Sequence, residues 1–327
     1  MSDHKKGVLL ANLGSPTAPT VPAVRKFLEA FLGDKRVVNL PRPLWLIILY
    51  CFVLPFRPKK SAEAYAKIWD DEKGSPLTFL TRQLTQKVAE KISTTNPTVL
   101  LDHVMSYGEP SMATQLRRFK DQGIKDITIL PLYPQYSSTT TASVYDAFVK
   151  ELNQWWHLPT FRFISDYHEH NSYINALAQT VRAAWALNPK NQMLVMSFHG
   201  LPEMLTEKGD PYFYQCQRTA KLLADELELK EHEWRLVFQS RFGKAEWLKP
   251  YCADTLAALP QEGVKSVDLI CAGFAVDCLE TLEEIAMENQ HVFIEAGGEA
   301  YTYIPALNDS ELGVQVILDV LASHLPN

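Results

Sequence analysis

The sequence predicts an α/β protein made of two parallel sheets, each flanked by helices. Three observations carry this reading. Short apolar runs alternate with amphipathic helical stretches along the whole chain. Residues 7–13 are apolar apart from Asn12, and 193–196 are apolar throughout, as in strands buried on both faces. The same rhythm returns in the second half, and 327 residues are enough for two units.

The elements follow in order. A strand at 7–13 closes at Gly14-Ser15-Pro16, a turn sequence. Residues 22–32 place Val24, Phe27, Leu28 and Phe31 at helical spacing. Residues 34–40 read as extended. Residues 44–54 are almost wholly apolar and are bracketed by Pro41-Arg42-Pro43 and by Pro55, Arg57, Pro58, Lys59 and Lys60. That run is shorter than the about 20 residues needed to cross a bilayer. Two readings stand: a buried helix, or an apolar lip at a cleft or membrane surface, with Leu46, Ile47 and Ile48 at its centre. In the second reading the basic flanks meet lipid phosphates or ligand carboxylates. A short helix is predicted at 61–69 and a longer amphipathic one at 77–92. Strands at 99–105 and 127–132 enclose a helix at 111–122, and a Ser/Thr-rich loop leads into a helix at 142–155. The second half has strands at 161–164, 193–199, 234–239, 267–271 and 300–304. Its helices are expected at 172–187, 212–228, 247–259, 278–288 and 311–325.

Hydrophobic and charged contents of 46% and 21% are ordinary for a globular chain, and a net charge of −6 argues against a nucleic-acid partner. No secretory signal is read at the start. The five cysteines form no C-x-x-C pair, which points to free thiols in a cytoplasmic protein, without structural zinc or a four-cysteine cluster. Neither G-x-G-x-x-G nor G-x-x-x-x-G-K-[ST] occurs, so nucleotide binding has no motif behind it.

Two stretches could carry chemistry. His199 ends a core strand just before Gly200-Leu201-Pro202. Ligands bind at that edge of open α/β sheets, and an imidazole there suits proton transfer or metal contact. Asp277, Glu280, Glu284 and Glu288 recur at helical spacing after the strand at 267–271. Asp277 with Glu280 also fits a plain capping start, so the stripe reads either as a helix N-terminus or as a path for cations and protons. Gln239-Ser240-Arg241 closes another strand, with Trp247 as core or pocket wall. Met105-Ser106-Tyr107-Gly108-Glu109-Pro110 echoes Met196-Ser197-Phe198-His199-Gly200-Leu201-Pro202, which suggests two similar Rossmann-like domains.

These stretches together resemble the ferrochelatases. The match lies in Ser197-Phe198-His199-Gly200-Leu201-Pro202, in Lys208-Gly209-Asp210-Pro211-Tyr212, and in Phe274 with Asp277-Cys278-Leu279-Glu280-Thr281-Leu282-Glu283-Glu284-Ile285. Asn12-Leu13-Gly14-Ser15-Pro16, Tyr133-Pro134-Gln135-Tyr136, Gln239-Ser240-Arg241 and Leu307-Asn308-Asp309-Ser310 extend it. The resemblance implies a chelatase-like pair of Rossmann-like domains with a porphyrin cleft between them. Residues 1–141 would form the first domain, with 305–327 packing back on it, and 142–304 the second. It further implies Fe²⁺ insertion into protoporphyrin IX, the last step of haem synthesis, with two pyrrole protons removed from a bent macrocycle.

His199 and Glu280 match the family's pair at the porphyrin centre, as catalytic and metal-meeting groups. Asp277 and Glu284 would extend the acidic path. Leu13, Tyr65, Ser75, Tyr107, Tyr136, Trp247 and Phe274 fall at pocket positions. Cys278 departs from the histidine of many relatives. Fe²⁺ is expected as substrate, with no permanently bound cofactor and no iron–sulfur cluster, since the cysteine-bearing extension of animal relatives is not found. The expected setting is cytoplasmic, peripheral on the inner face of the membrane through the lip, with transient contact to the preceding haem-pathway enzyme. Competing readings are a coproporphyrin III ferrochelatase, a sirohydrochlorin chelatase, a non-catalytic tetrapyrrole or metal binder, and a nucleotide-dependent α/β enzyme.

Overall fold

In a computed structural model the chain is described at residues 5–241, 243 and 245–325. It divides into two compact units, Met1–Asp166 with Asp309–Asn327, and Tyr167–Asn308.

The first unit holds β1 (Lys6–Asn12), β2 (Val99–Met105), β3 (Asp126–Pro131) and β4 (Thr160–Phe163), all parallel, in the order β2-β1-β3-β4. Val8, Leu9, Leu10 and Ala11 are fully buried, as a strand apolar on both faces requires. Each such side chain contributes about 1.5–3 kcal/mol when buried, so the core decides which helices belong to a sheet. Val144, Phe148 and Leu152 of the helix Thr141–Leu152 bury with Leu9, Ile127 and Ile129. Arg117 ties that helix to Met112–Asp121 through a bidentate bond to Glu151. A division at residue 141 is therefore corrected: the first unit runs on to Asp166, because this helix completes its core and β4 pairs with β3. The helix Glu311–Ala322 packs on Pro76–Thr95, and Lys87–Asp309 and Lys91–Glu311 pair at 2.5 Å. Residues 326–327 of the expected C-terminal segment lie outside the described residues.

The apolar run is helical, and it is longer than its prolines suggest. Arg42–Ile48 is followed by a π-helical turn, Leu49–Val53, and then by Leu54–Ile68, which contains Pro58. Proline lacks the N–H that an α-helical ladder needs and crowds the preceding turn. The wider π turn lies directly before Pro55, where the ladder must absorb that defect. Trp45, Leu49 and Leu54 are buried, and the Trp45 indole donates to the Leu32 carbonyl. Leu44, Ile47, Tyr50, Phe52 and Phe56 point outward, with Phe56 74% exposed. Of the three expected lip residues only Ile47 is well exposed, since Leu46 and Ile48 are half-buried against the unit. Residues 34–40 form turns rather than an extended run, because the Asp34 carboxylate and carbonyl capture the N–H groups of Arg36 and Val38. No helix among the described residues is long and apolar enough to cross a membrane.

The second unit repeats the topology with β5 (Met193–His199), β6 (Trp234–Gln239), β7 (Ser266–Ile270) and β8 (Ala300–Ile304), parallel, in the order β6-β5-β7-β8. By sheet position β5 corresponds to β1, and β6 to β2. The echo between residues 105–110 and 196–202 thus joins strands in different places: the former closes edge strand β2, the latter inner strand β5. A helix over 247–259 is shortened to Cys252–Ala258. The Phe238 and Leu248 N–H groups donate to Pro250 and Leu201, which pins residues 247–250 against β6 and the loop after β5. The helix expected at 278–288 is a π-helix, Glu280–Asn289, continued by Gln290–Glu295.

Candidate active site

In the second unit, the candidate site residues gather where the carboxyl ends of the strands meet the π-helix. His199 is the last residue of β5, and its Nδ1 lies 2.6 Å from the Gly200 carbonyl. A carbonyl only accepts, so Nδ1 carries a proton, and in the neutral imidazole the lone pair is on Nε2. His199 is in register with Gln239 of β6, and the Gly200 N–H donates 2.7 Å to the Gln239 carbonyl. A Cβ at Gly200 would stand 2.5 Å from that oxygen, so a glycine is required there.

Ser240 follows with φ 64°, a left-handed conformation unusual for serine. The turn aims its N–H at Glu284 Oε1, at 2.7 Å, and its hydroxyl at Oε2 of the same carboxylate. Burial pushes the Glu284 carboxyl up; the Ser240 donors and the nearby His199 pull it down, and Glu280 pushes it up again. His199, Glu280 and Glu284 are therefore within electrostatic reach of one carboxylate. Cys278 is buried, with Glu280 close by. Burial first, and the Glu280 charge second, push the Cys278 thiol well up, so it remains a neutral donor.

The acidic stripe is shorter than its spacing implies. Asp277 is buried and accepts from Thr281 Oγ at 2.8 Å, Tyr303 Oη at 2.5 Å, Asn308 Nδ2 at 2.7 Å and the Ala306 N–H at 3.4 Å. These donors occupy the carboxylate, which braces the start of the π-helix against the segment after β8. Glu288 is exposed, whereas Glu280 and Glu284 are half-buried. Trp247 is buried, pairs with Pro202, and lies beside Gly200. Phe274, after β7, packs on the core cluster under that strand.

The first unit gathers a different set. Leu13 follows β1, and its carbonyl accepts from the Tyr107 N–H beyond β2 at 2.9 Å. Ser75, at the start of helix Pro76–Thr95, bonds to Ser15 at 2.7 Å. The Tyr107 hydroxyl donates to Asp34 at 2.7 Å, and Ser143 joins both. Tyr65 packs edge-on to Phe27, Phe27 stacks on Phe31, and Phe31 tilts onto Tyr107. Tyr136 lies past the end of β3, close enough to act on Arg36. Asp34 and Ser143 were not singled out from the sequence, and Gln239 and Ser240 entered only within the Gln239-Ser240-Arg241 stretch, with no role attached. A strand-end glutamine and serine look like ordinary turn residues, and the Asp34–Ser143 link spans 109 positions. Among the described residues no three His, Cys, Asp or Glu side chains are grouped to hold a metal ion.

The family model for ferrochelatase matches residues 5–325. A ferrochelatase of Nitrosococcus oceani is 47% identical over 98% of this chain and 86% of its own length. "Ferrochelatase 2" of Shewanella oneidensis is 47% identical over 98% of both chains. Among solved structures, the SirB protein of Bacillus subtilis, determined with Fe³⁺, shares the fold with a TM-score of 0.56 at 10% identity, over 98% of this chain and 95% of its own. CbiX, the terminal enzyme of sirohaem biosynthesis in denitrifying bacteria, does so with a TM-score of 0.55 at 13% identity, over 98% and 100%. The strand-end histidine, the glutamates of the π-helix and a match over nearly the whole length lead to one conclusion: the chain belongs to the ferrochelatase family.

Proposed function

We propose that this ferrochelatase, a metal-chelating lyase of haem synthesis, inserts Fe²⁺ into protoporphyrin IX with His199 and Glu280 at the reacting centre. The observation that carries this assignment is the convergence of one imidazole and two carboxylates, His199, Glu280 and Glu284, at the strand ends of the second unit. Metallation removes two pyrrole N–H protons and brings a divalent ion to a flat, rigid ring. His199 Nε2 accepts protons, and Glu280, with Glu284 behind it, passes them on. Fe²⁺ must leave the protein for the porphyrin, so a site of one imidazole and a few carboxylates suits transient binding better than a thiolate cage. Asp277 supports this path by holding the π-helix in place.

The porphyrin-meeting residues on this reading are Leu13, Tyr65, Ser75, Tyr107 and Tyr136 in the first unit, and Trp247 and Phe274 in the second. Their apolar and aromatic surface bends the macrocycle, so that remote binding energy strains the reacting centre. The outward Leu44, Ile47, Phe52 and Phe56, beside Arg57, Lys59 and Lys60, touch the membrane surface where apolar porphyrins collect. Such a lip suits protoporphyrin IX better than the more carboxylated coproporphyrin III.

The test is anaerobic metallation of protoporphyrin IX by Fe²⁺, with Zn²⁺ as a second metal, followed by absorbance and with coproporphyrin III as competitor. Turnover in the wild type that is lost in His199→Ala and Glu280→Gln, with porphyrin binding kept, is the expected result. Faster turnover of coproporphyrin III would overturn the substrate assignment. Vesicle sedimentation of Ile47→Ser/Phe52→Ser/Phe56→Ser tests the lip, which fails if association is unchanged.

A further inference from the structure

Gln239 has no place in the proton path, yet it touches the supports of both reacting groups. It is the last residue of β6 and is 2% exposed. Its main-chain carbonyl accepts the Gly200 N–H at 2.7 Å, one residue beyond His199. Its side-chain Nε2 donates 2.8 Å to the main-chain carbonyl of Glu280 and approaches Glu284 Oε2 at 3.5 Å. Its Oε1 accepts from Ser197 Oγ at 2.7 Å, two residues before His199, and from the Cys271 thiol at 3.7 Å. The Glu280 carbonyl can only accept, and the Ser197 and Cys271 groups donate, so the amide has one orientation that satisfies all of them.

This network lies where a helix would be poorly fixed. The first carbonyls of a π-helix are spaced for partners five residues on, and its ladder is weaker than an α-helical one. Glu280 is the first residue of that helix. An outside donor on its carbonyl holds the turn by a bond to the sheet itself. The same residue's backbone holds the turn after His199, and Gly200 has no side chain because the Gln239 carbonyl fills that space.

We propose that Gln239 is a positioning residue that sets the separation of His199 and Glu280. It does so by holding the histidine's turn through its carbonyl and the glutamate's helix through its amide. The assignment rests on His199 and Glu280 being the reacting pair. A misplacement of about 1 Å at a reacting centre costs about 100-fold in rate, so loss of the amide is expected to lower kcat by about 10- to 100-fold.

The variant is Gln239→Met, which keeps volume and removes donor and acceptor. It is assayed for Zn²⁺ insertion into protoporphyrin IX beside wild type, His199→Ala, Glu280→Gln and Ser197→Ala, with porphyrin affinity read separately by fluorescence quenching. The expected result is a kcat lowered by about 10- to 100-fold, with porphyrin Kd and KM within threefold of wild type. Ser197→Ala, which leaves the amide but removes one of its orienting donors, falls in between. A kcat for Gln239→Met within twofold of wild type overturns the proposal, and so does a parallel loss of porphyrin affinity, which marks a general structural role. Should Gln239→Met show no thermal transition, Ser197→Ala decides alone: a kcat two- to tenfold below wild type with Kd unchanged supports the proposal, and any other result overturns it. Turnover retained in His199→Ala or Glu280→Gln would instead sink the assignment of the reacting pair, an outcome read independently of Gln239.

Discussion

The two units have one sheet topology and put different chemistry on it. In each, an inner strand ends at a glycine that admits a backbone carbonyl from beyond the neighbouring edge strand or at its end. Gly14, after β1, would place a Cβ 2.8 Å from the Tyr107 oxygen; Gly200, after β5, would place one 2.5 Å from the Gln239 oxygen. Around Gly14 stand Leu13, Tyr107, Ser75 and Asp34, which offer apolar surface and hydroxyls. Around Gly200 stand His199, Glu280 and Glu284, which offer an imidazole and two carboxylates. The scaffold supplies close strand ends in both cases, and the proposed division into a binding set and a reacting set lies in the residues placed on them. Variants that separate binding from turnover test this contrast.

The largest effects belong to the second unit. His199→Ala and Glu280→Gln are each expected to lower kcat by about 10²–10⁴, the range of a positioned acid or base, while porphyrin Kd stays within a few-fold. Stopped-flow metallation with separate quenching titrations measures both. A comparable loss of kcat in Leu13→Ala would erase the distinction between the units.

The glycines come next. Gly200→Ala and Gly14→Ala each force backbone to move and are expected to cost about 1–3 kcal/mol in urea unfolding. Gly14 adds a left-handed φ of 95°, which alanine adopts poorly. Gly200→Ala displaces the Gln239 carbonyl and should lower kcat; Gly14→Ala should act chiefly on porphyrin KM. The reverse pattern would break the correspondence.

Much of this was legible in the sequence, for identifiable reasons. A strand apolar on both faces marks itself, so β1 and β5 lie where their runs place them, and a histidine closing β5 must stand at the ligand edge. The parts that were not legible depend on partners far along the chain. Pro55 and Pro58 read as stops, yet a π turn carries the helix past Pro55 and buried Trp45, Leu49 and Leu54 anchor it. Helical spacing put four acids in one stripe, whereas the donors around Asp277 and the exposure of Glu288 leave Glu280 and Glu284. Gln239 carries no signal of its own, because its meaning comes from the Ser197 hydroxyl and the Glu280 carbonyl, 42 and 41 positions away.

A pH test reads the second unit without turnover. Burial raises the Glu284 carboxyl above its ordinary value of 4.5, so the folded state binds this proton more tightly than the unfolded chain. Where the folded state holds more protons, stability falls as pH rises. Glu284 thus favours folding below its ordinary range, and that contribution is lost as pH climbs from there through the raised value. Glu284→Gln removes this dependence. Thermal melts should show a flatter Tm against pH over that window in the variant, and parallel curves would mean that the carboxyl is not shifted.

The smallest effect sharpens the contrast from the first unit. Tyr107→Phe keeps the ring on Phe31 and removes a hydroxyl bonded to Asp34 and Ser143. Burial, the main cause, holds that phenol protonated far above its ordinary range, so it donates and takes no part in proton exchange. The Asp34 carboxylate keeps the Ser143 hydroxyl and the Arg36 N–H, so it is not left unpaired. A net loss of about 1 kcal/mol in stability is expected, the worth of one hydrogen bond whose partner stays satisfied. Porphyrin KM should rise severalfold, and kcat should fall far less than in any variant of His199 or Glu280. The pH profile of kcat is the decisive readout. Since a phenol that never ionises leaves it in place, a profile displaced by Tyr107→Phe would put proton chemistry in the first unit as well.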